Sequence, residues 1–457
     1  MVKWTKEQTE AINASGSDIL VAAAAGSGKT AVLVERIIQK LLNKEDPIQI
    51  DELLVVTFTN AAAQEMRNRI SAALEQALQE HPHSGHLKKQ LALVQRASIS
   101  TLHAFCMDMV RKYAYMLDID PAFRIANEME LELLKQDTLD ALLEEKYGSE
   151  DAEEQNRFFA FIDRFSGDRN DEAVEQLILK LYTFSIQSPW PDNWLDKLEA
   201  AYSVDDTCEE SELPWLTLVK EDVRMQLQAI KNELERALQI SNESDGPYHY
   251  LETLENDQKM ITEVYEKSSS WVDLQQLFTT STWGRLSGKR VDCNEEKKEH
   301  VKKLRNQCRE RWKKMKDKLF VRDLSAHLSD MQELQPVVET LTELVKEFKH
   351  RYSLEKKKRA IADFSDLEHY FLQILVDPSS TENRIIPSAI AKQLQSQFRE
   401  LYIDEYQDTN LVQETILSLI SNQTGNGNRF MVGDVKQSIY RFRHADPTLF
   451  MDKYKRY

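Results

Sequence analysis

The chain has 457 residues and a formal net charge of −17, with 30 % charged and 41 % apolar residues. That length supports two or three cored domains, and no run of about 18 apolar residues exists that could cross a bilayer. Cys106, Cys208, Cys293 and Cys308 never fall in a CxxC spacing, which argues against a disulfide frame or a cysteine zinc site. No hydrophobic signal core follows Met1-Val2-Lys3-Trp4-Thr5, so the expected location is cytoplasmic. The acidic total says little about nucleic acid, because the charge is uneven: acid gathers at 128–154 and base at 302–318 and 356–359.

In chain order, short apolar runs at 19–24, 53–58 and 98–101 read as strands, with helical patterns at 29–42 and 61–80 between them. Residues 120–361 read as almost wholly helical, with Leu131, Leu134, Thr138 and Leu142 at helical spacing and loops near 188–191 and 245–247. Two late runs, 400–403 and 429–432, return to strand character. The predicted fold class is α/β, with a central parallel sheet. One domain is built from segments 1–119 and 362–457 and is interrupted by a large all-α insertion at 120–361.

The segment Ala23-Ala24-Ala25-Gly26-Ser27-Gly28-Lys29-Thr30 lies where the first strand passes into a helix. It departs from G-x-x-x-x-G-K-[ST] only at Ala23. Gly26 and Gly28 let backbone N–H groups close on phosphate oxygens, Lys29 would reach the β- and γ-phosphates of ATP, and Thr30 would hold Mg²⁺. A second site is expected at Leu401-Tyr402-Ile403-Asp404-Glu405, a strand ending in two acids. There Asp404 would bind Mg²⁺ and Glu405 would activate water.

The longer segment Asp404-Glu405-Tyr406-Gln407-Asp408-Thr409-Asn410 resembles the DE-x-Q-D motif of UvrD/Rep-type superfamily 1 helicases. Further resemblances follow at Gly433-Asp434-Val435-Lys436-Gln437-Ser438-Ile439-Tyr440-Arg441-Phe442-Arg443, at Thr57-Phe58-Thr59-Asn60, at Ser100-Thr101-Leu102-His103 and at Gln8. These motifs stand in family order from Trp4 to Ala445. The Ala-rich lead of the phosphate loop and Arg443-His444-Ala445-Asp446-Pro447 look most like the AddA branch of helicase–nuclease subunits. Ala31, where the repair branch usually carries arginine, separates the chain from that branch.

The resemblance implies a RecA-like P-loop motor domain acting on DNA in double-strand break repair, with an AddB-type partner subunit in a heterodimer. It also implies that Gln8 meets the adenine edge and that Gln437 senses the γ-phosphate. Lys29, Glu405 and Gln437 are the implied catalytic set. Phe58, Thr59, Asn60, His103, Tyr440, Arg441, Phe442 and Arg443 are the implied DNA contacts, through stacking and backbone hydrogen bonds. A second RecA-like domain and a nuclease domain are expected outside these residues, so the chain alone would hold half an ATPase site and hydrolyse ATP poorly. A repair helicase without a nuclease and a nucleotide-gated DNA-binding module are the alternatives. The basic stretch with Lys302, Lys303, Arg305, Arg309, Arg311, Lys313, Lys314 and Lys316 is expected to touch duplex phosphates, and Asp363-Phe364-Ser365-Asp366-Leu367 to be mainly structural.

Overall fold

The computed structural model describes residues 4–24, 26–43, 46–165, 171–205, 208–289, 291–422, 427–437 and 446–456. Two compact units divide it, one of Met1–Leu195 with Glu343–Tyr457 and the other of Asp196–Thr342.

The first unit is a mixed α/β body. Its strands, in chain order, are β1 (Ile19–Ala22), β2 (Leu53–Thr57), β3 (Ser98–Thr101), β4 (Arg124–Ile125), β5 (Ile361–Ala362), β6 (Glu400–Ile403) and β7 (Arg429–Gly433). Five of them form a parallel sheet in the order β1-β7-β6-β2-β3. The expected strands at 19–24 and 53–58 end slightly earlier, at Ala22 and Thr57, because the chain turns there into loops that lead to helices.

Both faces of the sheet are covered, so alternate side chains of one strand enter different cores. Leu53 and Val55 pack with Ile99, Tyr402, Phe430 and Val432 under the helices α2 (Lys29–Leu42) and α3 (Asn60–Glu80). Leu54 and Val56 pack on the other face with Ile403, Met431 and Phe105. Two-sided burial explains why these strands read in sequence as continuous apolar runs. Thr59 and Thr101 cap the helices that follow β2 and β3, each accepting a hydrogen bond from a first-turn N–H.

A second, two-stranded parallel ladder pairs β4 with β5, and its two short strands carry no local sequence signal. Every described element between residues 128 and 358 is helical. Lys356, one of the basic run at 356–359, is buried. Its ammonium lies 2.9 Å from Asp363 and 2.6 Å from Asp366. Those two acids also form a capping box at the start of the helix Phe364–Leu375, which is the structural role expected for that segment.

The second unit is a helical body. Phe278 stacks on Trp312 at 3.9 Å and on Phe320 at 4.3 Å between ring centroids. The helix Glu295–Met315 buries Val301, Leu304, Arg305, Cys308, Trp312 and Met315, the stripe that helical spacing demands. Arg305 is therefore unavailable to a phosphate. Its Nε donates to Asp257 at 2.6 Å, and both side chains are at most 3 % exposed. Lys302 and Arg311 are paired with Glu299 and Glu233, whereas Lys303, Arg309, Lys313 and Lys314 are at least partly open to solvent.

A buried ion pair is costly to break on one side and cheap to replace whole, because a lone buried charge keeps its full desolvation cost. Asp257→Ala is expected to lower stability in denaturant unfolding by about 3–5 kcal/mol, and the double change Asp257→Leu with Arg305→Met by much less. Equal losses would contradict this account of the pair.

Candidate nucleotide-binding site

The sheet order brings residues from distant parts of the first unit to one edge. Ala22 of β1 pairs with Gly433 of β7, Ile403 of β6 pairs with Val56 of β2, and Thr57 pairs with Thr101 of β3. The segments that follow these residues therefore emerge side by side at the carboxyl ends of the strands, where open α/β sheets place ligands.

After β1 the chain runs through Ala23 and Ala24 into the Gly26–Gly28 turn. Ala23 N–H donates to the carbonyl of Gly433 at 3.1 Å. Gly26 and Gly28 have φ of +75° and +81°, a region that side chains disfavour. Gly28 caps α2 without any side-chain hydrogen bond, and the first turn carries no acid. The N–H groups at this helix start therefore face outward with the positive end of the dipole. Lys29 adds a positive charge at the same place. Its Nζ is buried and finds no hydrogen-bond partner among the described residues. A buried ammonium at the wrong end of a helix dipole is unfavourable twice over, and a bound anion would relieve both terms. Thr30 follows, half-buried, in the first helical turn. Ala25 lies outside the described residues.

Gln8 belongs to a short helix, α1 (Lys6–Asn13). Its Oε1 accepts from Thr5 N–H at 2.9 Å, and its Nε2 donates to the carbonyl of Ser27 at 3.0 Å. Gln8 thus braces the glycine turn directly, a contact that its motif position does not imply, and keeps one N–H for an outside partner.

Asp404 and Glu405 follow β6. The Asp404 N–H continues the ladder to the carbonyl of Val56 at 2.9 Å. Glu405 sits at φ 53° and ψ 45°, which costs a non-glycine residue about 1–2 kcal/mol. Its carboxylate accepts from Gln407 Nε2 at 2.8 Å. Gln437 lies in a turn after β7, and its Nε2 donates to Asp434 Oδ2 at 2.5 Å. The charge of Lys29 acts on both Asp404 and Asp434, so the ammonium lies among these acids. Lys29, Asp404, Glu405 and Gln437 are brought to one edge, as the motif order implied. Gln407 bonds Glu405, and Asp434 bonds Gln437, although the motifs alone assign neither a role.

The expected DNA contacts divide. Phe58 is half-buried, Thr59 and Asn60 are exposed, and Thr59 is also a helix cap. The Nε2 of His103 lies 2.8 Å from Glu368 Oε1. Glu368 is buried and accepts further hydrogen bonds from Asn410 at 3.2 Å and Gln413 at 2.6 Å. His103 is therefore a fixed member of a polar network as well as a group at the sheet edge. Tyr440, Arg441, Phe442 and Arg443 lie outside the described residues.

Burial, reinforced by the neighbouring charge of Glu405, pushes Asp404 up to about 6. A folded-state value above the unfolded one means that folding disfavours the carboxylate. Ionised Asp404 therefore destabilises the fold above about pH 6, and the penalty fades as pH falls towards about 4. Asp404→Asn is expected to stabilise the nucleotide-free protein by roughly 1–3 kcal/mol at about pH 7.5 and by nothing near pH 4. Denaturant unfolding at the two pH values checks this, and a gain independent of pH would contradict it.

The UvrD/REP helicase N-terminal domain family matches residues 4–457. Along its whole length the chain is 60 % identical to the A subunit of the ATP-dependent helicase/nuclease of Oceanobacillus iheyensis. It is 50 % identical to the protein of that name from Geobacillus kaustophilus and 47 % identical to the one from Bacillus cytotoxicus. It spans 37 %, 37 % and 36 % of the lengths of these three relatives. A phosphate-ready edge on a parallel sheet, with the helicase motifs in order around it, agrees with that match over nearly every residue: the chain belongs to the UvrD/REP helicase family.

Proposed function

We propose that the chain is the motor portion of an ATP-dependent DNA helicase–nuclease of the AddA type, which moves along and unwinds DNA while broken ends are processed. The observation that carries this reading is the buried ammonium of Lys29, with no hydrogen-bond partner among the described residues, at the start of α2, where no side chain caps the helix. On this reading a RecA-like domain is assembled from 1–119 and 362–457 around the helical segment 120–361.

Gly26, Ser27 and Gly28, with Ala23, Ala24 and Ala25 before them, would wrap the phosphates. Lys29 would neutralise the β- and γ-oxygens. Thr30 and Asp404 would hold Mg²⁺, which when bound supplies charge neutralisation to the leaving phosphates. Gln8 would turn its remaining N–H to the base. Glu405 would orient and deprotonate the attacking water, and Gln437, beside the same acids, would register the γ-phosphate. A module that only switched its grip would need no water-activating acid, so Glu405 favours the motor.

Phe58, Thr59, Asn60 and His103 follow β2 and β3, the two strands beyond the acidic pair on the same edge. A single strand crossing them would lie next to the nucleotide, with bases on Phe58 and phosphates on the polar groups, and Tyr440, Arg441, Phe442 and Arg443 would complete the grip. In the second unit Lys313, Lys314 and Lys316 are the groups proposed to meet duplex phosphates. The branch resemblance implies a heterodimer with an AddB-type partner. No described helix is long and apolar enough to cross a membrane, and the proposed location is the cytoplasm.

In the full-length protein, Glu405→Gln is expected to lower DNA-stimulated ATP hydrolysis by about 10²–10⁴-fold while ATP is still bound. Turnover at the parent rate would overturn the hydrolytic assignment. Neutralising Lys313, Lys314 and Lys316 is expected to weaken duplex binding and to lower its log–log salt slope by about 0.9 per lost phosphate contact. An unchanged affinity and slope would remove this helix from the interface.

A further inference from the structure

Gln407 sits between the acids Glu405 and Asp408 and the turn after β7 that carries Gln437, and it is 2 % exposed. Its Oε1 accepts the backbone N–H of Asp434 at 2.9 Å. That donor fixes which end of the carboxamide is oxygen. The Nε2 must then face the carboxylates, and it donates to Glu405 Oε2 at 2.8 Å and to Asp408 Oδ2 at 3.3 Å.

The approach is built in from the opposite side as well. A side chain at Gly433 would collide with Gln407 Oε1, and its Cβ would come within 2.9 Å of Phe450. Glycine here leaves the room that the carboxamide fills. On the other flank, Glu405 holds a left-handed backbone, which a residue with a side chain keeps only when its surroundings fix it. Asp434, gripped by Gln407 through its N–H, accepts in turn from the N–H and the Nε2 of Gln437, at 2.9 Å and 2.5 Å. Glu405, Gln407, Asp434 and Gln437 are thus one continuous hydrogen-bonded chain.

We propose that Gln407 is the positioning residue of the hydrolytic site, holding the water-activating acid and the turn that carries Gln437 in one fixed relation. This rests on the roles proposed above for Glu405 and Gln437. Only a carboxamide serves, because the two neighbours need a donor and an acceptor from one rigid plane. Glutamate keeps the shape but sets a second carboxylate against Glu405. Leucine keeps the bulk and offers neither bond.

The test measures single-strand-stimulated ATP hydrolysis by the full-length protein, together with equilibrium binding of a non-hydrolysable ATP analogue. Gln407→Leu and Gln407→Glu are each expected to lower kcat by about 10²-fold, with analogue affinity within about threefold of the parent. Gly433→Ala, which pushes the same carboxamide from the far side, is expected to show the same split. Adding Gln407→Leu to Glu405→Gln is expected to lower kcat no further. The proposal falls if the Gln407 variants keep kcat within about threefold of the parent, or if they lose affinity and kcat in equal proportion, as a merely structural residue would. Should Gln407→Leu fail to fold, Gln407→Glu, of the same size, decides. If Glu405→Gln itself turns over normally, the reading of the site fails. If that variant is dead and the Gln407 variants are not, this inference alone fails.

Discussion

A buried positive charge that no described residue meets with a hydrogen bond organises this molecule. Lys29 stands at the first position of α2, at the positive end of the helix dipole, and its ammonium is buried without a hydrogen-bond partner among the described residues. Protein interiors seldom leave such a group alone, since an uncompensated charge costs several kcal/mol. Asp404 and Asp434 lie close enough to feel it but do not bond to it. The two acids after β6 are themselves in tension, because burial and Glu405 work against ionisation of Asp404. Cation and acids alike fit the proposed ligand, whose negative oxygens and divalent metal would answer both.

That edge can exist only when distant segments meet. β1 pairs with β7, and β6 lies between β7 and β2, so the chain must travel through residues 126–360 before its sheet is complete. The short β4–β5 ladder joins the two ends of that excursion. Pairings of such sequence separation carry a large loop-closure cost, offset by two-sided burial of Leu53, Leu54, Val55 and Val56. The benefit is spatial: the loops proposed to meet nucleotide and the loops proposed to meet DNA leave strands of one sheet edge. Asn410 and Gln413, which follow the acid pair, both bond Glu368, and Glu368 meets His103 beyond β3.

Much of the fold was legible because its signals are local. Buried parallel strands are continuous apolar runs, and helical spacing at 29–42 and 61–80 marks the helices between them. The glycine turn, the acid pair and the ordered motifs pick out segments that the sheet brings to one edge. Long-range partnership was not legible. Lys302, Arg305 and Lys356 look alike in a basic run, yet Arg305 and Lys356 turn inward to Asp257 and to Asp363 with Asp366, acids far off in sequence or hidden in a cap. Gln8 and Gln407 are ordinary glutamines until the sheet closes and gives each a backbone group to hold. His103 reads in sequence as a DNA contact, and its bond to Glu368, 265 positions away, gives it a structural role as well.

The central claim is that the buried ammonium of Lys29 is a phosphate receptor and not a tolerated flaw. Calorimetric titration of this 457-residue chain with Mg·ATP, beside Lys29→Met, tests it most directly. The account predicts that the parent binds, that the variant loses at least about tenfold in affinity (near 1.4 kcal/mol), and that the variant without nucleotide is the more stable of the two. Equal affinities, or a variant destabilised without nucleotide, would contradict it.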